Sequence, residues 1–244
     1  MKIRMTFNFN DVGIFWINCS TNIKRAEHMK LILNKYFPYN KIYHVEAVMY
    51  SPKYHGVTMA HMVAILQGIA SKKPFLILED DVTVDVTKLD TKMLENEILK
   101  MEKKPEAVYL GLSTWGTNSN KQKELLKGRN ESAMEFEGKI LMSKGARCLD
   151  IGNRNLVRVD DMYGAHAILY LSNDYGKKTI QYCVHAIEVN RPHDVFLPKL
   201  LKNELVVGLR SPWFYQLASI GGQEKATKLN LNYLKIIEPK SFSK

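Results

Sequence analysis

"PFLILEDDVTV", residues 74–84, runs four apolar residues, Phe75 to Leu78, straight into three consecutive carboxylates, Glu79, Asp80 and Asp81. The apolar run does not alternate with polar residues, the pattern of a strand buried on both faces of a parallel sheet. In open α/β sheets ligands bind at the carboxyl ends of such strands, which is where the three acids fall. Like charges repel and burial penalises each of them, so a positive partner is expected against them. Alternation along an extended chain puts Glu79 and Asp81 on one side and Asp80 on the other. Two carboxylates so spaced offer hard oxygen ligands to Mn²⁺ or Mg²⁺, with water and substrate phosphates completing the shell. The plainer alternative is a helix cap or a surface turn.

Working outward, "VGIFWIN" (12–18) is a short buried strand and opens onto a helix in which Ala26, Met29, Ile32, Leu33 and Tyr36 recur at steps of three and four. Ser20 or Thr21 is placed to cap it, and Pro38 ends it. "KIYHVEAV" (41–48) follows as a strand, so the first fifty residues make a β-α-β unit of a parallel sheet. A second helix covers 56–73 with Met59, Val63, Leu66 and Ala70 on its apolar stripe, and His61 is expected to face away from that stripe. A helix over 90–104, strands over 106–113 and 163–172, and a helix over 173–187 capped by Asn173 or Asp174 come next. "LVVGLRSPWFYQ" reads as a late strand. Residues 114–155 are polar with dispersed glycines, and predict loops and a hairpin around "KILMSK".

The expected fold class is α/β: a single GT-A-like (Rossmann-like) domain over 1–244, with a mainly parallel central sheet flanked by helices. A nucleotide-sugar-binding half is expected over about 12–113, an acceptor and catalytic half over about 156–220, and a Lys-rich C-terminal tail beyond.

Composition narrows the classes. The 244 residues are 45% hydrophobic and 25% charged, enough apolar material for one substantial core. No stretch reaches the ~18 apolar residues that cross a bilayer, and "MKIRMTFNFNDVGIFW" lacks the pattern of a secretory signal. The expectation is a soluble, cytoplasmic protein. The net charge of +10 favours anionic partners and leaves peripheral contact with an acidic membrane open. The basic residues are dispersed, without zinc-finger spacing or RNP-type aromatics, which argues against nucleic acid. Cys19, Cys148 and Cys183 are odd in number and widely spaced, against a disulfide framework or a thiolate metal site. Cys19 and Cys183 lie in apolar patterns that predict burial. Asn18 and Asn130 head glycosylation sequons that carry little weight without a secretory signal.

Several segments together resemble a known family. "GVTMAHMVAILQGIASKKPF" leading into "ILEDDV" is similar to the region of glycosyltransferase family 25, the lipooligosaccharide and procollagen galactosyltransferase group, in which a glycine- and histidine-containing helix start precedes an acidic "LEDD". The matching residues are Gly56, His61, Leu78, Glu79, Asp80 and Asp81. "FWINCSTNIKRAEHM" resembles the opening of the family at Asn18, Arg25 and Met29. "GAHAILYLSNDYGKKTI", "RPHDVFL" and "SPWFYQLASI" resemble its later stretches, including a P-x-D and a P-x-x-x-Q element. The likeness is strong over about 14–82, looser over about 160–220 and absent between. Ser20, Thr21 and Ala60 depart from the family pattern, which bears on donor and acceptor identity more than on the reaction class.

The resemblance implies a GT-A fold and an inverting, metal-dependent transfer of a hexose, galactose or glucose, from a UDP-sugar to a hydroxyl of a glycan or protein. It implies Asp81 as first ligand to Mn²⁺ or Mg²⁺, with Glu79 or Asp80 as helper and His193 as a third ligand. Asp80 is alternatively a ribose contact, Arg25 a phosphate contact and Asn18 a nucleobase contact. His61 would touch the donor sugar or order the acidic loop. Asp194, the aspartate of the P-x-D match, is the expected general base, with Asp160 and Asp161 as rivals. Trp115, Trp213, Phe214 and Tyr215 are candidate stacking faces for a sugar, whereas Trp16 reads as core. The competing classes are a metal-dependent nucleotidyltransferase or phosphohydrolase, and a basic protein that binds a glycan or polyanion without turnover.

Overall fold

The computed structural model describes residues 7–113, 117, 134–136, 139–141 and 146–216. The β-α-β-α-β start expected from the sequence is present: β1 (Gly13–Asn18), α1 (Ile23–Tyr36), β2 (Lys41–Glu46), α2 (Lys53–Ala70) and β3 (Phe75–Glu79). β4 (Val82–Val84), α3 (Thr91–Lys100) and β5 (Ala107–Tyr109) follow. Then come β6 (Met134–Phe136), β7 (Lys139–Leu141), β8 (Arg147–Asp150), β9 (Leu156–Asp161) and β10 (Ala167–Tyr170). The described chain closes with α4 (Asn173–Glu188), a 3₁₀ turn (His193–Phe196), α5 (Leu197–Asn203), β11 (Val206–Leu209) and β12 (Phe214–Gln216). Trp115, Asn130 and the Lys-rich tail lie outside the described residues.

Ten strands form one sheet in the order β2-β1-β3-β10-β5-β11-β9-β8-β7-β6. From β2 to β11 all strands run one way except β10, which is antiparallel to both β3 and β5. This is the mainly parallel α/β sheet expected. The antiparallel ribbon β9-β8-β7-β6 extends its far edge and contains the hairpin expected around "KILMSK". Residues 156–161 were not foreseen as a strand, because their polar members sit within a strand buried mainly on one face.

The non-alternating runs are buried on both faces, as their composition requires. Phe15, Ile17, Phe75 and Ile77 join one core cluster with Ala60, Ala64 and Ile65 of α2. Ile14, Trp16, Leu76 and Leu78 join the opposite cluster with Met29, Ile32 and Leu33 of α1 and Leu94 and Ile98 of α3. Trp16, Trp213 and Phe214 are all buried there. Trp16 is therefore core, as read. Trp213 and Phe214 are not stacking faces for a sugar, which corrects the expectation for those two.

The chain breaks after β3. Asp80 and Asp81 form a turn, and Val82–Val84 leaves the main sheet to pair antiparallel with β12, setting Gln216 opposite Val82. Two helix starts also differ from expectation. The residue flanking α1 is Asn22, without a side-chain cap, and α4 is capped by Ser172, whose hydroxyl accepts from the amides of Asp174 and Tyr175.

The face of α2 is the main correction. Val63 and Leu66 are exposed (43% and 54%), whereas Gly56, Thr58, Ala60, His61, Ala64, Ile65 and Gly68 are buried. Small residues win the inner face because the helix lies hard against the sheet. A Cβ on Gly68 would stand 2.3 Å from the Phe75 ring. That ring is stacked on Tyr170 at 4.8 Å and cannot yield cheaply. His61 sits on this inner face and is driven into the protein. Gly68→Val is expected to cost about 1–3 kcal/mol through overpacking, measured as a lower urea midpoint at unchanged slope. An unchanged midpoint would contradict the close approach of helix and sheet.

Candidate active site

β1 and β3 are adjacent and parallel, with Ile17 paired to Glu79, so Asn18 ends its strand beside the acidic turn. Asn18 donates from Nδ2 to Asp80 Oδ2 at 2.7 Å. Arg25, in the first turn of α1, donates to Asp80 Oδ1 at 2.5 Å and lies 3.9 Å from Asp81 Oδ2. Asp80 thus points towards β1 and α1, and Asn18, 1% exposed, is tied into the protein rather than presented as a glycosylation acceptor.

Glu79 and Asp81 converge on Gln216. The Gln216 amide donates to Glu79 Oε2 at 3.3 Å and to Asp81 Oδ1 at 3.2 Å. His61 Nε2 lies 3.2 Å from the other oxygen of Glu79. Burial holds the His61 imidazole neutral, with its pKa down to about 4, so a proton on Nε2 donates to the carboxylate. Of the two roles expected for His61, the geometry supplies the ordering of the acidic loop. The expected alternation does not carry past Glu79, because Asp80 and Asp81 form a turn and line the same cleft.

Burial, and then the charge of Asp80, push Glu79 up to about 7 against the opposing pull of Arg25. Burial, and then Glu79, push Asp81 up to about 7, with Arg25 and the Gln216 amide opposing. Both carboxylates are strained electrostatically in the protein alone.

Two clefts meet at this trio. The first, about 490 Å³, is lined by Asn18, Thr21, Arg25, Lys53, Asp80 and Asp81, with Val48, Met49 and Tyr50 forming an apolar wall. The second, about 440 Å³, is lined by Tyr54, Ser113, Tyr163, His193, Asp194 and Gln216. Glu79 and Val57 belong to both. Cys19, expected to be buried, is half-buried and lines the first cleft, whereas Cys183 is buried.

His193 and Asp194 open a 3₁₀ turn after Pro192, between α4 and α5. His193 Nδ1 lies 3.3 Å from Thr58 Oγ1, its ring is 4.5 Å from that of His61, and its buried Nε2 has no partner. Burial, then His61, hold it neutral. Among the described residues, no group of three or more His, Cys, Asp and Glu side chains is placed to hold a metal ion. His193 is not grouped with Glu79 and Asp81 into such a set: it lies against Thr58 and His61 of α2 and lines the second cleft. Asp194 faces the second cleft, and burial, followed by the charge of Glu79, raises it to about 6. Its rivals are spent elsewhere: Asp160 pairs with Arg147, and buried Asp161 accepts from Thr117.

Gln216, Tyr54 and Tyr163 were not singled out from the sequence. Gln216 does fall on the late P-x-x-x-Q stretch, which was the available signal. The tyrosines gave none, because each comes to the cleft from a separate part of the chain.

No protein-family model matches the chain, and no curated protein matches it, so the family resemblance gains no support from either. Among solved structures the chain is similar to a glycosyltransferase involved in the glycosylation of the major capsid of PBCV-1. The identity is 11% and the TM-score 0.36, over 82% of this chain and 94% of that one. It is also similar to the CTP:phosphocholine cytidylyltransferase of Streptococcus pneumoniae, at 10% identity and a TM-score of 0.33, over 86% and 74%. Likenesses this loose do not bear on activity; the site itself must carry that. Among the described residues no helix is long and apolar enough to cross a membrane.

In the lining of the second cleft, buried His166 is also held neutral by burial, with its pKa down to about 4. A histidine depressed in the folded state contributes stability that is present above its unfolded pKa of ~6.5 and lost as pH falls towards 4. The raised carboxylates act in the opposite sense over part of that range, so the histidine is read by difference. Relative to His166→Gln, the wild type is expected to lose roughly 3 kcal/mol between pH 7 and 4, followed by urea denaturation at each pH. A pH-independent difference would contradict a buried neutral imidazole.

Proposed function

We propose that this chain is a metal-dependent inverting glycosyltransferase, moving a hexose, galactose or glucose, from a UDP-sugar to a hydroxyl of a glycan or protein. The observation that carries the reading is the pair of clefts meeting at Glu79, one setting Arg25 and Lys53 beside the acidic trio and the other containing a candidate base. A phosphohydrolase would have no use for the second.

The donor is assigned to the first cleft. Arg25, which also bonds Asp80, and Lys53 line that cleft and would meet the two phosphates. Asn18 and the Val48–Tyr50 wall are placed for the nucleoside, and Asp80, already anchored by Asn18 and Arg25, for the ribose. Glu79 and Asp81 fit a divalent ion in the chemistry of their oxygens and in their shared need for positive charge, which a single neutral amide meets only in part. With two protein carboxylates, the fit is to an ion completed by diphosphate oxygens and water rather than to an all-protein cage. Such an ion, when bound, would supply electrostatic stabilisation of the departing diphosphate.

The reaction asks little else of the protein. The acceptor hydroxyl lies in the second cleft and gives its proton to the Asp194 carboxylate as its oxygen bonds to the anomeric carbon. On the opposite side the bond from that carbon to the diphosphate oxygen breaks, and UDP leaves with the electron pair, its charge met by Arg25. His61 and Gln216 hold the acidic turn in register throughout.

The test is incubation with a panel of nucleotide sugars and Mn²⁺, following UDP release. UDP-sugar turnover that depends on Mn²⁺ is expected, abolished in Asp81→Asn. With an acceptor present, Asp194→Asn should lower transfer by about 10²–10⁴. Release of pyrophosphate or free phosphate would instead establish nucleotidyltransfer or hydrolysis, and glycan binding without any turnover a binding protein.

A further inference from the structure

We infer that the second cleft takes the end of an uncharged saccharide, seated against the Tyr163 ring with its reacting hydroxyl at Asp194. The inference rests on the transferase reading above and names its acceptor class.

The first argument is charge. The chain as a whole carries 35 lysines and arginines against 25 acids, and Arg25 and Lys53 line the first cleft. There the two cations stand against Glu79, Asp80 and Asp81; the second cleft has the acids without the cations, its charged lining residues among those described being Glu79 and Asp194, with no lysine or arginine. A phosphorylated sugar or a uronic acid would bring its negative charge against two carboxylates with no cation to meet it. The imidazole lining is neutral and offers hydrogen-bonding capacity without charge. Buried His193, 5% exposed, keeps an unpartnered Nε2, which suits a hydroxyl.

The second argument is shape and surface. A sugar ring has one apolar C–H face and a rim of hydroxyls, and is matched by an aromatic ring beside polar groups. Tyr163 is half-buried and close enough to Asp194 to feel its charge. Tyr54, on the first turn of α2, is fixed by hydrogen bonds from its hydroxyl to Asn190 Oδ1 at 2.8 Å and Asn190 O at 3.0 Å. Both tyrosines line the cleft with Ser113 and Gln216. At about 440 Å³ it lies in the size range of small-molecule sites, a pocket for the end of a saccharide rather than a groove for an extended peptide.

The experiment is saturation-transfer NMR on the full chain with methyl hexosides, a methyl glucuronide, a hexose 6-phosphate and a serine/threonine peptide as probes. Saturation of one or more neutral hexosides is expected, at least tenfold stronger in apparent affinity than for the two acidic sugars or the peptide. Tyr163→Ala should weaken that binding about tenfold, and Tyr163→Phe, which keeps the ring, should retain it. Preference for an acidic sugar or the peptide, no binding of any neutral hexoside, or full binding by Tyr163→Ala would overturn the inference. Because the readout is binding, neutral-sugar saturation without UDP-sugar turnover would remove the transferase reading and keep this one. Turnover with an acidic acceptor preferred would do the reverse.

Discussion

The withdrawal of Glu79 and Asp81 from water, with like charge beside each, governs the centre of this protein. Half-buried Glu79 and buried Asp81 share the amide of Gln216, and a third carboxylate, Asp80, lies between them in sequence. The nearby guanidinium, Arg25, is bonded mainly to Asp80. Such a cluster does not assemble for stability, because each acid is penalised by its burial and by its neighbours. It persists because donors from four separate elements hold it: Asn18 from β1, Arg25 from α1, His61 from α2 and Gln216 from β12. The raised proton affinities of Glu79 and Asp81 follow first from burial and then from the neighbouring carboxylates, with Arg25 opposing.

Each of those donors depends on a feature of the fold. β1 lies directly beside β3, which brings Asn18 to the turn. The inner face of α2 is built from glycine and alanine, so the helix approaches closely enough for His61 to reach Glu79. β4 leaves the main sheet to pair with β12, and that pairing carries Gln216 to the acids from more than a hundred residues away. Glu79, at the head of that turn, borders both clefts, one that also holds Arg25 and Lys53 and one without a lysine or arginine among the described residues.

Much of this was legible in the sequence, and the remainder failed for physical reasons. The strands 13–18 and 75–79 announced themselves by apolar runs without alternation, and the acids at the end of the second marked the site. α1 showed its buried stripe correctly. α2 was misread because large aliphatic residues usually mark the inner face, whereas close packing against Phe75 reserves that face for small ones. The error turned His61 outward when it belongs inside. His193 and Asp194 were both read as site residues, and both line the second cleft, but only the fold shows that His193 is also packed against α2. Tyr54, Tyr163 and Gln216 meet through long-range topology, which local periodicity does not encode.

The central claim is that the acidic turn grips a diphosphate through a divalent ion. Calorimetric titration of UDP into the protein, with and without Mn²⁺, tests it without requiring the sugar or the acceptor to be known. The account expects tight binding only with Mn²⁺, and loss of that dependence in Asp81→Asn while the variant keeps its fold. UDP binding of equal strength with and without the ion, or undiminished Mn²⁺-dependent binding in Asp81→Asn, would contradict it.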